Sequence, residues 1–374
     1  MANDISKVTP QLLAQGLLAL RESAPMAMIV NRAYDEMAGP QGSTIDVPIP
    51  TNVAARDVTP GITAPAAQDV GPTSVPIELT QWKEADFTLT DKEQLEVQNG
   101  TLPMLASTRV RSLGNILNED LLGEAAKFYG RVEPESGSVP FGDGTTKDAS
   151  AARTVLNKQV APMDPRYFIM DPDAEGSALN VRAFQDASFG VGGEAILEGQ
   201  IFRRLGFGWI MSQLVQSRTS GTGAGYLVNS GSLAIGDKTI AADTGTGTIL
   251  VGDIVTFAGH DQTYVVTSAL SGGSFAIEPG LVVAPADNAA ITVDDAGNEQ
   301  VLNLAMHRDA IALATRPLSG SSHPNAVVDT QIDPGSGLAL RVEYSREHRQ
   351  DRWAWDILYG FNTIRRELGC RVHG

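Results

Sequence analysis

Cysteine is almost absent from this chain of 374 residues: Cys370 stands alone, so no disulfide can form within the chain and no zinc site can be built on cysteines. Stability must come from packing or from association. No apolar run reaches the roughly 18 residues that a membrane-spanning helix needs. The first residues do not read as a secretory signal, because Asp4 precedes any basic residue and Gln11, Gln15 and Arg21 interrupt the apolar stretch. The expectation is a chain that stays in the cytoplasm where it is made. Positive charge is scarce too. A net charge of −16 argues against strong, sequence-independent binding to nucleic acid, so contact with DNA is expected to be loose or confined to one face.

Reactive constellations are also missing. There is no Gly-x-Ser-x-Gly nucleophile elbow. Gly142-Asp143-Gly144-Thr145-Thr146-Lys147 lacks the glycine spacing of a phosphate-cradling loop. Asp171-Pro172-Asp173-Ala174-Glu175-Gly176 copies the start of a calcium loop, but the twelfth position is Arg182 instead of a bidentate carboxylate; a strand-to-helix turn capped by aspartate is expected. The histidines, His260, His307, His323, His348 and His373, include no i,i+4 pair, and His307-Arg308-Asp309 reads as a turn with a satisfied imidazole. The chain is therefore expected not to be an enzyme and to carry no cofactor and no metal.

What is present is a series of contrasting segments. The length favours more than one structural unit, and 42% hydrophobic residues is ordinary for a globular protein. Residues 9–37 read as helix, with Thr9 as N-cap, Pro10 behind it, and Leu12, Leu13, Leu17 and Leu20 at helical spacing. Ala24-Pro25 breaks this helix, which resumes from Met26 toward Gly39-Pro40. Prolines then stand at 40, 48, 50, 60, 65, 72 and 76, a density that no helix or central strand tolerates. Alternating Ile45, Val47, Ile49 on one side, and Ile77, Leu79, Ala85, Phe87, Leu89 on the other, predict a long two-stranded arm over 40–90. Such a ribbon is marginal alone and needs something to lie on. Residues 103–130 predict a helix with Val110, Leu113, Leu117, Leu121, Ala125 and Phe128 as its stripe, Gly130 as its end, and Arg109, Arg111, Asn118, Glu119 and Lys127 facing away. Residues 131–160 read as a polar surface loop and 167–170 as a short buried strand.

Residues 221–300 form a compositional island with 13 of the 38 glycines, no arginine, and nine acids against Lys238, a net charge of −8. Short β-type runs between Gly, Asp and Asn turns predict a small antiparallel barrel or sandwich, inserted through a flexible Ser-Gly-Thr-Gly-Ala-Gly linker at 220–225. Residues 301–317 read as strand, turn, strand. In the last stretch Trp353 and Trp355 share one face of a strand, which suits packing. Arg341, Arg346, Arg349, Arg352, Arg365, Arg366 and Arg371 stand there against Glu343, Glu347, Asp351, Asp356 and Glu367, a balance that suits ion pairs between subunits better than a nucleic-acid patch.

This order of segments resembles the major capsid proteins of tailed bacteriophages, in particular the P22-like coat protein branch of the HK97-type capsid fold. The likeness is carried by Ser-Ala-Pro-Met-Ala at 23–27 followed by Ser-Thr-Ile-Asp-Val-Pro-Ile-Pro at 43–50, by 251–259 with 274–279, by 303–318, and by 355–369. It implies an α+β fold made of an N-terminal helical arm (1–39), an extended loop (40–90), a peripheral domain with its spine helix (91–160), an axial/peripheral α/β part (161–220), an inserted β-barrel (221–300) and an axial return with C-terminal strands (301–374). It implies a shell of hexamers and pentamers around double-stranded DNA. The implied partners are further copies of the chain, a scaffolding protein, a portal protein, a decoration protein and weakly held DNA, with no membrane. The implied place is the virion capsid, assembled in the host cytoplasm.

The candidate inter-subunit contacts are Pro48, Pro60, Trp82, Lys83, Asp253, Asp261, Arg346 and Arg349, with Asp253 and Asp261 facing arginines of the adjacent capsomer. Some members of the family crosslink a loop lysine to a distant asparagine. Lys83 and Asn362 hold comparable places here, but no acid is placed to catalyse the bond and no crosslink is expected. Encapsulin-type compartments share the fold but typically lack an inserted barrel, whereas gene-transfer-agent capsids would look alike. A secreted β-rich carbohydrate-active protein would need a signal peptide and a carboxylate pair, and neither is found. The physical premise is that 40–90 and 221–300 lack partners within their own protomer.

Overall fold

A computed structural model describes residues 9–35, 44–49, 57, 73–96, 101–134, 137, 139–185, 201, 203–229, 231, 233–318, 326–333 and 336–374. In chain order the helices are α1 (Thr9–Ser23), α2 (Met26–Ile29), α3 (Asp91–Glu96), α4 (Thr101–Gly123), α5 (Lys147–Lys158), α6 (Pro172–Leu179) and α7 (Arg182–Gln185). The strands are β1 (Thr44–Ile49), β2 (Thr73–Glu78), β3 (Gln81–Thr90), β4 (Gly130–Val132), β5 (Arg166–Met170), β6 (Phe207–Met211), β7 (Ser217–Thr219), β8 (Tyr226–Val228), β9 (Thr239–Asp243) and β10 (Ile254–Phe257). They continue with β11 (Tyr264–Ser271), β12 (Ser274–Glu278), β13 (Ala290–Val293), β14 (Glu299–His307), β15 (Ile311–Thr315), β16 (Ala326–Ile332), β17 (Ala339–Glu347), β18 (Gln350–Thr363) and β19 (Gly369–His373). The described residues fall into two compact units, one within Met1–Leu20, Asn31–Leu113 and Ala312–Ile364, the other within Arg21–Val30, Gly114–Ile311 and Arg365–Gly374.

The first unit is built on the sheet β15-β18-β17-β16, with β3 added along β18. Period-two alternation sends Val342, Tyr344, Trp353 and Trp355 to one face, where they are buried. Phe87 stacks on Trp355 at 5.5 Å and Tyr344 lies 4.7 Å from Trp353. The two tryptophans are thus core, as expected. Helix α1 covers this face. A Cβ at its Gly16 would stand 3.2 Å from both Leu340 and Val110, so glycine lets the helix lie close. Leu12, Leu13, Leu17 and Leu20 are all buried. The Thr9 cap falls outside the described side chains. The helix expected over 9–37 stops earlier: after the single turn α2, Val30 is extended and Asn31 accepts a hydrogen bond from Leu313 N at 2.9 Å, which draws the chain into a strand-like path.

The arm is a two-stranded ribbon over its described part. β1 and β2 pair antiparallel from Thr44↔Glu78 to Ile49↔Thr73. Two expectations are corrected. β3 leaves the ribbon and pairs with β18 from Gln81↔Tyr359 to Thr90↔Gln350. The ribbon base has partners of its own, since Ile45, Val47, Ile77 and Leu79 pack with Ala312, Ala314 and Ile364. Gly360 allows this approach: a Cβ there would come within 2.2 Å of Glu78 O. The rest of the expected arm, residues 40–43, 50–56 and 58–72 with Pro60, lies outside the described residues.

The second unit centres on the sheet β4-β19-β14-β5-β6. β4–β19 and β5–β6 are parallel, while β14 runs antiparallel to both β19 and β5. Phe141, Phe168, Phe184, Phe207 and Trp209 cluster against it, with Phe168 and Trp209 stacked at 4.8 Å. The expected strand at 167–170 is β5. The loop expected over 131–160 is not one: it holds β4 and α5, whose Ala149, Ala152 and Leu156 are buried along one face. Asp171 caps α6 by accepting from Asp173 N, as the aspartate-rich turn predicts. His307 also behaves as predicted, its Nδ1 accepting from Asp309 N at 3.2 Å in a turn between β14 and β15.

Helix α4 has 23 residues, about 35 Å at 1.5 Å per residue. Its stripe is as predicted, for Val110, Leu113, Leu117, Leu121, Ala125 and Phe128 are all 0% exposed. The α-helix ends at Gly123, however, and a 3-10 turn over Glu124–Lys127 follows. Asn118 does not face away. It is buried, accepts from Met26 N at 3.2 Å and donates to Ser212 Oγ at 3.1 Å, the pairing a buried amide requires.

The compositional island is a closed six-stranded antiparallel barrel in the order β10-β11-β12-β9-β8-β13. Its fill is its own: Val228, Ile240, Val255, Phe257, Tyr264, Val266, Phe275, Ile277 and Ile291 form one cluster. Closure removes sheet edges, so this segment satisfies itself and needs no neighbour to fold. That overturns the premise that 221–300 lacks partners within its own protomer, while the expected small barrel is present. The barrel leaves the sheet after β7 and returns at β14, and these strands pair at Thr219↔Glu299, which brings the ends of the insertion together. The linker is not flexible either. Gly221 N donates to Asp253, Ala224 N donates to Thr246 O at 2.9 Å, and a Cβ at Gly221 would stand 2.3 Å from Thr248 O.

Candidate interaction surface

The sheet of the first unit has a second, polar face. Residues directly opposite on antiparallel strands share a face, which groups Trp82, Glu84 and Asp86 of β3 with Arg352 and Asp356 of β18 and Arg341 and Glu343 of β17. Arg341 Nε donates to Asp356 Oδ1 at 2.8 Å, and this bond raises the pKa of the guanidinium. Arg352 donates to Glu84 at 2.7 Å and to Asp86 at 2.9 Å. Trp82 Nε1 donates to Asp356 Oδ2 at 2.7 Å, yet the residue remains 62% exposed. The result is a shallow, open groove with an excess of carboxylates and an indole at its rim. An exposed tryptophan held by a hydrogen bond is the kind of group that anchors protein interfaces. Beside the groove, β16 is an edge strand among the described residues, with Val327 and Ile332 exposed, a row of backbone groups of the kind that can pair with another strand.

The sequence-predicted contacts are scattered over this framework. Trp82 and Lys83 both lie on β3, Lys83 half-buried opposite Ile357. Pro48 is exposed on β1 opposite Ser74. Arg346 and Arg349 lie at the far end of the β17–β18 hairpin, where Arg346 pairs with Asp351 at 2.9 Å and with Asp91 at 2.8 Å, and Arg349 takes the left-handed turn position at φ 59°. Asp261 is exposed on the barrel. Pro60 lies outside the described residues. Of the arginine-rich end, Arg341, Arg346 and Arg352 pair with carboxylates of their own chain.

Asp253 is a correction. It is 0% exposed, and its carboxylate accepts from Arg218 Nη2 at 2.8 Å, Leu250 N at 2.7 Å and Gly221 N at 3.2 Å. It anchors the root of the barrel, facing Arg218 of its own chain instead of open surface. Sequence reading missed Glu84, Asp86, Arg352 and Asp356 as one face; the alternation Trp82, Glu84, Asp86 was the available signal.

A second polar cluster lies where the barrel returns to its sheet. Asp294 and Asp295 follow β13, and His373 comes from β19, with Nδ1 at 3.8 Å and 3.5 Å from their carboxylates. Arg131 of β4 touches Asp294 and pairs with Glu133 at 2.8 Å. Burial pushes the Asp294 carboxyl up to about 6. Burial, with Arg371 and Arg131 adding to it, pulls the His373 imidazole down to about 3, so it is neutral. Arg371 is fully buried, donates to Phe128 O and Gly252 O, and is pulled down to about 9 by desolvation.

Among the described residues no helix is long and apolar enough to cross a membrane. The family described as phage capsid protein matches residues 72–272. A solved structure from Mycobacterium phage Che8 superposes with a TM-score of 0.53 at 13% identity, covering 92% of this chain and 89% of that one. The capsid structure of the cyanophage P-SCSP1u gives 0.50 at 10% identity, covering 89% and 84%. No curated protein is a significant match by sequence. At these identities the structural likeness speaks for the fold, while the family match spans more than half of the chain. With the mixed α+β units and the inserted six-stranded barrel already described, the chain belongs to the phage capsid protein family and is a structural protein of the capsid shell.

Proposed function

We propose that this is the major capsid protein of a tailed phage, with HK97-type architecture and the inserted barrel of the P22-like branch. It assembles into hexamers and pentamers of an icosahedral shell around double-stranded DNA. The observation that carries the branch reading is the closed barrel spliced into the sheet between β7 and β14. In this reading β1 and β2 are the root of the extended loop, α4 is the spine of the peripheral domain, and the β14–β19 sheet belongs to the axial domain. The sixfold division of the chain given by the resemblance is the functional one, and the two compact units cut across it.

Contacts between copies run through the polar sheet face with Trp82, the exposed β16 edge, and the arm with Pro48 and Pro60. Lys83, Arg346, Arg349 and Asp261 lie at the margins of these contacts. The excess of acid keeps contacts with packaged DNA weak, which suits a container that must fill and empty. Scaffolding, portal and decoration proteins are the other partners, and assembly takes place in the host cytoplasm. An encapsulin-type compartment is disfavoured by the barrel.

Electron microscopy of the purified chain, alone and with its scaffolding partner, tests the proposal. Closed shells with fivefold and sixfold capsomers are expected; monomers under all conditions would refute it.

A further inference from the structure

We propose that Asp294, Asp295 and His373 form a site for one divalent transition-metal cation of the zinc and manganese class, which clamps the exit of the barrel onto the sheet. The three side chains come from two places in the chain. The β13 exit turn supplies the carboxylates, Asp295 in the left-handed region at φ 44°, and β19 supplies the imidazole. One ligand atom from each lies within 4.8 Å of the others. A cation about 2.1 Å from two ligands at a tetrahedral angle holds them about 3.4 Å apart. The 3.5 Å and 3.8 Å from His373 Nδ1 to the two carboxylates are close to that spacing.

The second observation is His373 itself. Its side chain is 4% exposed, it points into the cluster, and among the described residues neither ring nitrogen has a hydrogen-bond partner. Buried imidazole nitrogens are normally satisfied, and an unpaired one beside two carboxylates calls for an ion or a water. Asp294 Oδ2 is held by Arg131, the one group a cation would displace. Gln300 Nε2 donates to Asp295 Oδ2 at 3.0 Å, the outer support that orients a ligating carboxylate. Mixed imidazole and carboxylate donors suit zinc or manganese.

Arg131 is the competitor for the site. It contacts Asp294 and lies 3.9 Å from Asp295, and it can keep Glu133 when a cation takes the carboxylates.

The test is titration of the chelator-treated full chain with cobalt, zinc and manganese, read by cobalt visible absorption and by calorimetry. One saturable site is expected, with a cobalt spectrum that zinc abolishes. Asp295→Asn and His373→Gln should each weaken binding by about ten-fold or more, and Arg131→Gln should strengthen it. Asp287→Asn, elsewhere on the barrel, should change nothing. Circular dichroism checks each variant; should His373→Gln fail to fold, Asp295→Asn, on a side chain a third exposed, decides alone. No saturable binding below about 1 mM, or equal binding by the parent and Asp295→Asn, overturns the proposal. Water alone in the cluster would give that result. Binding is read on the chain itself, so its failure leaves the shell reading untouched.

Discussion

Replacing Asp253 with alanine deprives three donors of their acceptor at once. Arg218 loses its only carboxylate partner among the described residues and keeps Val251 O, while the backbone N–H groups of Gly221 and Leu250 are left facing a void. Breaking a buried ion pair costs about 3–5 kcal/mol, and stranded backbone donors add to this. Water reaching the partly exposed Arg218 recovers some of it. The expected loss is about 4 kcal/mol for Asp253→Ala. It is about 2 kcal/mol for Asp253→Asn, which keeps one acceptor but turns an NH2 toward other donors. The loss should be local to the barrel, because the bonds join its linker to the turn before β10. Urea unfolding combined with hydrogen exchange should show barrel amides exchanging faster while the aromatic sheet around Phe168 keeps its protection. Arg218→Gln should cost much less in the Asp253→Ala background than in the parent. Unfolding within about 0.5 kcal/mol of the parent, with unchanged barrel exchange, would refute the assignment.

Trp82→Ala should leave the stability of the isolated chain within about 1 kcal/mol, because the side chain is mostly exposed, while the yield of shells in sedimentation falls several-fold; an unchanged yield would remove the polar sheet face from the interface. Cys370 is fully buried and burial pushes its thiol pKa up, so a thiol reagent at mildly alkaline pH should label the native chain no faster than it unfolds, and rapid labelling would contradict the packing of β19. Asp35 has a pKa raised by desolvation, only partly offset by Arg32 and the Thr315 amide. A raised carboxyl contributes stability that is complete below its unfolded pKa of about 4 and is lost as pH rises through its folded value. Asp35→Asn should therefore flatten the acid side of the stability curve, and an unchanged slope would count against a desolvated Asp35.

The tests bear on two kinds of structure that the chain encodes differently. The stripe of α4, the Asp171 cap, the shared face of Trp353 and Trp355, and the barrel strands were legible because each depends on residues a few positions apart. α5 was hidden because its buried face is only Ala149, Ala152 and Leu156 in a polar segment. The missed polar face was harder still, since Arg352 and its partners Glu84 and Asp86 are more than 260 positions apart. The composition of the acidic, glycine-rich island pointed correctly to a small barrel, but not to the ring closure that lets it fill its own core without neighbours. Asp253 looked like one more surface acid, and only its position under Gly221 and Leu250 makes it a buried anchor.

Periodicity, caps and turn residues are local, so the order of amino acids alone settled the long helix and the small barrel. Which strands are neighbours, which charges are already paired and where His373 meets Asp294 and Asp295 became visible only in the folded chain. Those relations join residues far apart in the chain, and no local pattern records a contact that distance makes.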